Sequence, residues 1–293
     1  MSAVGRPLVV GVDGSEPSLR AVDWAADEAA LRGLPLRLVY ASLWERYEGE
    51  ALSRDLGKPS EQVRAEDIVR AAAQRAQLRR ADMRISTDVL FEEPEYALVR
   101  EGRDAAALVL GTRGRSGFVE MLLGSVSLTV AAYADCPVIV LRGSHDNQVR
   151  VGARGRIVVG VGEKGTDSAA LGFAIEEAGL RHATLDLVRA WRCPAHEGTD
   201  HPLLVDEPAR LHERHAAQLL EQALKDAPPG VELRPRTVEG PARRVLLAAS
   251  HDADLLVVGA QRSPGRPGLQ LGRVAHGVLH HASCAVAVVP ERT

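Results

Sequence analysis

The sequence predicts an α/β protein made of two tandem doubly wound parallel sheets, each with five strands and with helices on both faces. Three observations predict this fold: the chain length, an internal repeat, and the alternation of short apolar runs with helical patterns. The 293 residues suit two domains of equal size, since domains commonly span about 100–200 residues. We expect the domains at residues 1–145 and 153–293, joined by a linker rich in glycine and charge.

The internal repeat is the strongest of these observations. Three segments of the first half recur in the second half, in the same order and at nearly constant spacing. A period this long predicts one domain per repeat rather than a solenoid. The matched segments are RPLVVGVD (6–13) with RGRIVVGVG (154–162), DAAALVLG (104–111) with DADLLVVG (252–259), and CPVIV (136–140) with CAVAV (284–288).

Each half alternates strands with helices. Ser15 is a good N-cap for the first helix, and Asp167 or Ser168 takes that position in the second half. Helical segments between successive strands predict parallel pairing and right-handed crossovers. Such sheets bind ligands where the strand order reverses, which points to the loops after Asp13 and Gly111. The strands predicted in the first half are Leu8–Asp13, Leu36–Ser42, Arg84–Phe91, Ala107–Gly111 and Pro137–Leu141, which are Val- and Leu-rich without strict alternation, as strands buried on both faces are.

A glycine pattern follows the fourth strand. Residues 111–125 read GTRGRSGFVEMLLGS, which is G-x2-G-x9-G-S. Glycine backbone allows several N–H groups to approach one anion, and the helix that opens at Ser125 supplies more. Ser125 is also a candidate cap for that helix, and Arg113 and Arg115 add positive charge. The alternative that stays open is a flexible glycine-rich surface loop.

This pattern and its flanks, including CPVIVLR at 136–142, resemble the ATP-binding subgroup of the universal stress protein family. The resemblance covers nearly the whole chain. It implies a nucleotide-dependent stress-response regulator or sensor, a homodimer in which the last strands of the two halves also pair within the chain, and a regulatory protein partner. The resemblance places Asp13, at the end of the first strand, near the adenosine, and it places Ala41 against the adenine. Considered without the resemblance, Asp13 also fits a residue at the start of a helix. The candidate residues for ATP, with or without magnesium, are Gly11, Asp13, Ala41, Gly111, Thr112, Arg113, Gly114, Arg115, Gly124, Ser125 and Val126.

The second half departs from the pattern. A long side chain crowds the backbone N–H groups that would bind a phosphate, and each proline removes one of these N–H groups. We expect this half to bind ATP weakly or not at all; the open alternative is another anionic ligand held by Arg262, Arg266 and Arg273. In the sequence match Gly162 stands for Asp13, Arg262 for Gly114 and Arg273 for Ser125, while Gly259 and Gly272 are retained and Pro264 and Pro267 are added.

A binding protein is favoured over an enzyme. In-line attack on phosphate needs a positioned base and usually a metal. Asp13 is the only carboxylate expected nearby, at the adenosine end, so no catalytic residue is assigned. The alternative is a slow ATP hydrolase or adenylyl-transfer enzyme on the same scaffold.

The composition limits the partners. The formal charge of −3 offers no broad basic field for nucleic acid. The Arg75–Arg84 stretch is interpreted as a solvated helix face. No apolar run is long enough to cross a membrane, and three cysteines without a CxxC pair favour a reduced cytoplasm. Cys136 and Cys284 precede equivalent strands, which favours packing over redox chemistry.

Two further features are weaker. His276 and His280 have helical metal-ligand spacing, but no carboxylate or cysteine at ligand spacing completes a set, so a solvated helix face and no metal are expected. The charged segment 44–66 lies beside the expected pocket, where a lid and plain surface are equally compatible with the sequence.

Overall fold

The computed structural model describes residues 5–43, 60–112, 123–142, 154–163, 168–193, 207–225, 230–261 and 270–291. The chain forms two compact units, one within residues 1–151 and one made of most residues from 152 onward. Within the described ranges each unit has five strands and four helices. The predicted fold class is therefore confirmed.

In the first unit the strand order is β3-β2-β1-β4-β5, and all neighbouring pairs are parallel. Right-handed crossovers put α1 and α2 on one face and α3 and α4 on the other. All five predicted strands are present, although β1 ends at Gly11 because Asp13 turns toward α1. The elements are β1 (Leu8–Gly11), α1 (Glu16–Arg32), β2 (Leu36–Ala41), α2 (Ser60–Arg79), β3 (Ile85–Leu90), α3 (Pro94–Glu101), β4 (Ala107–Gly111), α4 (Ser125–Tyr133) and β5 (Val138–Leu141).

The second unit repeats this topology, with strand order β8-β7-β6-β9-β10 and parallel pairing. A short 3-10 turn precedes β9, as another precedes β4 in the first unit. The elements are β6 (Arg156–Gly160), α5 (Ala169–Arg181), β7 (Thr184–Trp191), α6 (Glu207–Lys225), β8 (Leu233–Glu239), α7 (Ala242–Ala249), β9 (Leu255–Gln261), α8 (Gly272–His281) and β10 (Ala285–Glu291).

The helix that follows β1 begins and ends at residues that the sequence marks. Ser15 is the N-cap, and its Oγ accepts a hydrogen bond from the Ser18 N–H at 3.4 Å. Gly33 ends the helix in a left-handed conformation with φ of 64°, which glycine adopts without steric cost. In the second unit Ser168 fills the N-cap position, as the sequence allowed.

The arginine-rich stretch is bonded to α1 rather than simply solvated. Asp23 and Asp27 are buried on α1 and face the arginines of the α2 end. Arg75 bonds both oxygens of Asp23 at 2.7 and 2.5 Å, and Arg79 and Arg80 bond Asp27 at 2.6 and 2.8 Å. The hydrogen bond to Asp23 raises the pKa of Arg75, and the one to Asp27 raises that of Arg79. These pairs join α1 to α2, which the sequence analysis did not predict.

The cysteines before the last strands pack in the two cores. Cys136 and Cys284 are both buried, and burial raises the pKa of the Cys284 thiol to about 12. At neutral pH that thiol therefore stays protonated and is a poor nucleophile. In the described ranges, no helix has the length and apolar character that a bilayer span requires.

Candidate functional site

Strands β1 and β4 lie side by side where the strand order of the first unit reverses. Gly111 ends β4, and a Cβ added there would lie 2.7 Å from the carbonyl carbon and 2.8 Å from the carbonyl oxygen of Pro17. Gly11 ends β1, where a Cβ would lie 2.7 Å from the Leu110 Cδ2 and 3.1 Å from a methyl of Leu98. A Cβ at Gly111 would therefore meet backbone, so close packing requires glycine there, whereas a Cβ at Gly11 would meet the movable ends of two leucine side chains.

Asp13 begins the turn from β1 into α1. Its Oδ1 accepts hydrogen bonds from the N–H of Ser15 at 3.0 Å and from the Ser15 hydroxyl at 2.6 Å. The helix-start reading of Asp13 is thus borne out for one oxygen. The other oxygen, Oδ2, has no hydrogen-bond partner within the described part of the chain, so it can accept from a ligand.

The two ends of the glycine loop are joined by hydrogen bonds. The Gly124 N–H donates to the carbonyl oxygen of Thr112 at 2.7 Å, and the Ser127 hydroxyl donates to that of Gly111 at 2.7 Å. These bonds bring the predicted residues on both sides of the loop together. They also engage the Gly124 amide, which the sequence analysis had assigned to an anion.

The start of α4 differs from the prediction in one respect. Gly124 is the N-cap, and Ser125 is the first helical residue, so the prediction that Ser125 caps this helix is wrong. No described side chain caps α4, and its first intrahelical bond runs from the Leu128 N–H to the Gly124 carbonyl. Within the described residues the N–H groups of Ser125, Val126 and Ser127 have no acceptor, as is usual at the start of a helix.

A second carboxylate lies at this helix start. The Ser125 hydroxyl donates to Oε1 of Glu95, on α3, at 3.2 Å. The expectation that Asp13 is the only carboxylate nearby is therefore wrong, because the sequence gives no sign that the start of α3 approaches α4. A phosphate that accepts from Ser125 would have to replace this bond.

The residue that the family resemblance places against adenine lies at the end of β2. Ala41 ends β2 and is half-buried. A cleft of about 500 Å³ opens next to the Asp13 turn, at Gly14, whose φ is 80°. None of the eight candidate residues that the structure describes lines this cleft. Arg113, Gly114 and Arg115 lie outside the described residues. The lining residues are Gly14, Leu19, Val63, Arg64, Asp67, Ile68 and Ala71.

Comparison with known proteins gives the family. Residues 5–142 and 153–290 each match the Universal stress protein family. The chain belongs to this family. It is similar to universal stress protein Mb2019 of Mycobacterium bovis, with 32% identity over 97% of this chain and 95% of that protein. Universal stress protein Rv2005c of Mycobacterium tuberculosis is 28% identical, over 97% of both chains.

A solved structure shows the same fold over the full length. The crystal structure of a universal stress protein from Archaeoglobus fulgidus superposes with a TM-score of 0.66 and covers 98% of this chain and 99% of its own. The sequence identity is 16%, so this likeness supports the two-repeat fold and nothing finer.

The second repeat of this universal stress protein has a different arrangement at the equivalent edge. Glu291, the last residue of β10, places its carboxylate on the start of α5. It accepts from the Ser168 hydroxyl at 2.6 Å and from the N–H groups of Ala170 and Ala169 at 3.2 and 3.3 Å. A Cβ added to Gly259, the counterpart of Gly111, would lie 2.7 Å from the Glu291 Oε1. Glu291 thus stands where the first turn of α1 stands in the first unit.

Sequence reasoning missed Glu291, although a signal existed. At the spacing of 148 residues that aligns the two halves, Glu291 at the end of β10 matches Gly143 in the sequence of the first half. α5 also begins about one turn later than α1 relative to the preceding strand. Because α5 begins later than α1, its first N–H groups lie where the Glu291 carboxylate can accept from them.

The start of α8 also differs from that of α4 in this protein. Gly272 has φ of 69°, whereas its counterpart Gly124 has φ of −67°. Arg273 is exposed in the first turn, and Gly162, which stands for Asp13, has open space around its Cβ direction. Arg262 and Arg266 lie outside the described residues.

The metal hypothesis finds no support in the described ranges, where no three His, Cys, Asp or Glu side chains form a cluster that fits a metal ion. The rings of His276 and His280 lie 4.6 Å apart on α8. Of the segment 44–66, only residues 60–66 are described, and they form the first turns of α2.

Proposed function

We propose that this protein binds ATP in its first unit and acts as a nucleotide-dependent regulator or sensor in a stress response. The observation that carries the proposal is the uncapped start of α4, where three N–H groups have no partner in the described residues. They lie directly after the G-x2-G-x9-G-S spacing and beside the point of strand reversal. A helix start with free amides favours phosphate through its N–H groups and its dipole.

The other candidate residues are assigned complementary roles. Oδ2 of Asp13 accepts from the ribose hydroxyls or the adenine amino group, and the backbone of Ala41 contacts the adenine. Gly114 allows the loop backbone to approach the phosphates, and Arg113 and Arg115 add charge at the rim. Gly11 and Gly111 act indirectly, by letting β1 and β4 pack closely against their neighbours.

The second unit is proposed not to bind ATP. The Glu291 carboxylate already accepts from the first amides of α5, so those donors are engaged and the edge carries a negative charge. That charge repels phosphate at close range. Arg262, in place of Gly114, adds a side chain where the motif has none.

The proposed assembly is the one that the universal stress protein family implies. Domain 1 (residues 1–145) holds the nucleotide, and domain 2 (residues 153–293) carries the degenerate loop. Nucleotide occupancy biases the state of a cytoplasmic homodimer or its choice of a regulatory protein partner.

The site is tested with Gly114→Arg, which copies Arg262 of the second half. Isothermal titration calorimetry of the full chain is expected to show ATP binding in the wild type and at least a hundredfold weaker binding in the variant. Gly265→Arg makes the same change in the second-half loop and is expected to leave binding unchanged. Unchanged affinity in Gly114→Arg, with a native circular dichroism spectrum, would defeat the assignment.

Glu95 gives the hydrolase alternative a specific residue, because it places a carboxylate 3.2 Å from the Ser125 hydroxyl. If this carboxylate activates water, ATP turnover should reach about 1 s⁻¹ or more, the low end of ordinary enzymes, and Glu95→Gln should abolish it. We expect ATP turnover far below that rate in both the wild type and the Glu95→Gln variant.

A further inference from the structure

The second unit contains a cavity of about 170 Å³ that shares no lining residue with the edge described above. It lies beside β7, β8 and α7, and most of its wall is apolar. Its size is below the roughly 300–1,000 Å³ of sites for drug-sized ligands, so it suits a molecule of few atoms. The lining residues are Val188, Val238, Val245, Ala248, Ala249, Arg156, Arg236 and Asp252.

The cavity lies where α7 ends in two alanines. α3, the counterpart of α7 in the first unit, ends in Arg100 and Glu101. The spacing of 148 residues that aligns the two halves matches these two residues to Ala248 and Ala249, and both alanines line the cavity. The second unit therefore has small side chains where the first unit has two long charged ones.

In the first unit this helix end supplies a carboxylate to an arginine of the sheet. Arg37 on β2 bonds Asp88 on β3 at 2.5 Å and Glu101, the last residue of α3, at 2.9 Å. One guanidinium group is thus shared by two carboxylates, one from the sheet and one from the helix.

In the second unit the charges of this group are inverted. By strand register Asp186 stands for Arg37 and Arg236 for Asp88. Oδ2 of Asp186 lies 3.4 Å from Nη1 of Arg236 and 3.9 Å from Nη1 of Arg156. One carboxylate is therefore shared by two guanidinium groups, and both of these arginines line the cavity.

The two arginines have N–H donors left for a further acceptor. Each guanidinium carries five donors, and the contact of each with Asp186 is long and involves one terminal nitrogen. Among the described residues neither arginine forms another ion pair. Asp252, the only acidic residue among those that line the cavity, is exposed and lies beyond ion-pair distance of both arginines. The wall of the cavity therefore combines apolar side chains with an excess of positive charge.

We propose that this cavity binds a short-chain aliphatic carboxylate of the size of isovalerate. Its carboxylate pairs with Arg156 and Arg236, as the Glu101 carboxylate pairs with an arginine in the first unit. Its hydrocarbon chain packs on the three valines of the wall, which favours an organic acid over an inorganic anion. This proposal is independent of nucleotide binding in the first unit.

The test is a titration of the full chain with isovalerate and two analogues, followed by methyl NMR of the valines and by calorimetry. Isovaleramide has nearly the same shape but no charge, and acetate has the charge but almost no hydrocarbon chain. We expect isovalerate to bind at least tenfold more tightly than either analogue and to shift the methyl signals of Val188, Val238 and Val245.

Variants separate the site from general charge effects. Arg236→Ala removes one of the two lining arginines and is expected to weaken isovalerate binding at least tenfold. Arg234→Ala is the matched control, since the Arg234 side chain is 50% exposed and that of Arg236 is 52% exposed, but Arg234 bonds Glu232 and does not line the cavity. Ala249→Glu introduces the residue that ends α3 and is expected to abolish binding, because its carboxylate competes for the same arginines.

The proposal is overturned by any of three results. The first is no methyl shift at tens of millimolar isovalerate. The second is isovaleramide or acetate binding as tightly as isovalerate, which would mean that the arginines or the valines do not recognise the ligand. The third is equal weakening by Arg234→Ala and Arg236→Ala in proteins whose melting curves remain cooperative.

Discussion

At the residue scale, Gly111 shows the effect of adding a single Cβ atom to the packing between β4 and α1. The backbone of Pro17 passes so close to it that even a methyl group would meet a carbonyl carbon at 2.7 Å. Neither partner is the end of a flexible side chain, so the first turn of α1 would have to move. The same closeness brings the end of β4 and the start of α1 together, next to the Asp13 turn.

Gly111→Ala is therefore expected to destabilise the protein by about 1–3 kcal/mol, the usual cost of overpacking. Gly162→Ala is the control, because Gly162 is exposed and a Cβ there meets nothing within 4 Å. That control should change the free energy of unfolding by less than about 0.5 kcal/mol. Urea denaturation measures both; equal stability of the two variants would contradict the steric argument.

At the scale of elements, the starts of the helices differ more than their sequences suggest. α1 is capped by Ser15 and supported by Asp13, and α5 is capped by Ser168 together with Glu291 from a distant strand. Among the described residues, no side chain caps α4. The first turns of α1 and α5 have side-chain acceptors for some of their N–H groups, and within the described residues the first turn of α4 has none.

Glu291→Ala should thus loosen the start of α5. We expect a loss of about 1–2 kcal/mol, as for removal of a helix cap, and faster hydrogen exchange of the Ala169 and Ala170 amides. Glu239→Ala is the control, since Glu239 is an exposed glutamate that ends β8 in the same unit. If the α5 amides exchange at the same rates in Glu291→Ala as in the wild type, the carboxylate does not stabilise the start of this helix.

At the scale of the whole molecule, two copies of one fold have diverged at corresponding places. Within the described residues the first unit has no side-chain cap at the start of α4, and next to α3 its Arg37 pairs with Asp88 and Glu101. The second unit places Glu291 on the start of α5, the counterpart of α1, and it has a cavity beside α7. Within the described residues α8, the counterpart of α4, also has no side-chain cap. The repeats are therefore expected to have different ligands.

This asymmetry predicts one ATP per chain. Native mass spectrometry of the full protein with excess ATP should show a stoichiometry near one, which falls to none in Gly114→Arg. A stoichiometry of two would show that the second unit binds ATP despite Glu291.

Most of the fold was accessible from the sequence alone. The repeat, the five apolar runs of the first half and the caps at Ser15 and Ser168 were all read correctly, because buried strands and helix starts are encoded locally. The glycine spacing also pointed to the carboxyl ends of β1 and β4. That place could be predicted because the handedness of the crossovers fixes the strand order, and with it the point where the order reverses.

Tertiary structure decided what each candidate residue does there. It engaged the Gly124 amide with Thr112, placed Glu95 beside Ser125, tied the α2 arginines to Asp23 and Asp27, and brought Glu291 to α5. These partners are far apart in sequence, and no local preference specifies them. They are set by how the helices pack on the sheet, which a linear pattern does not contain.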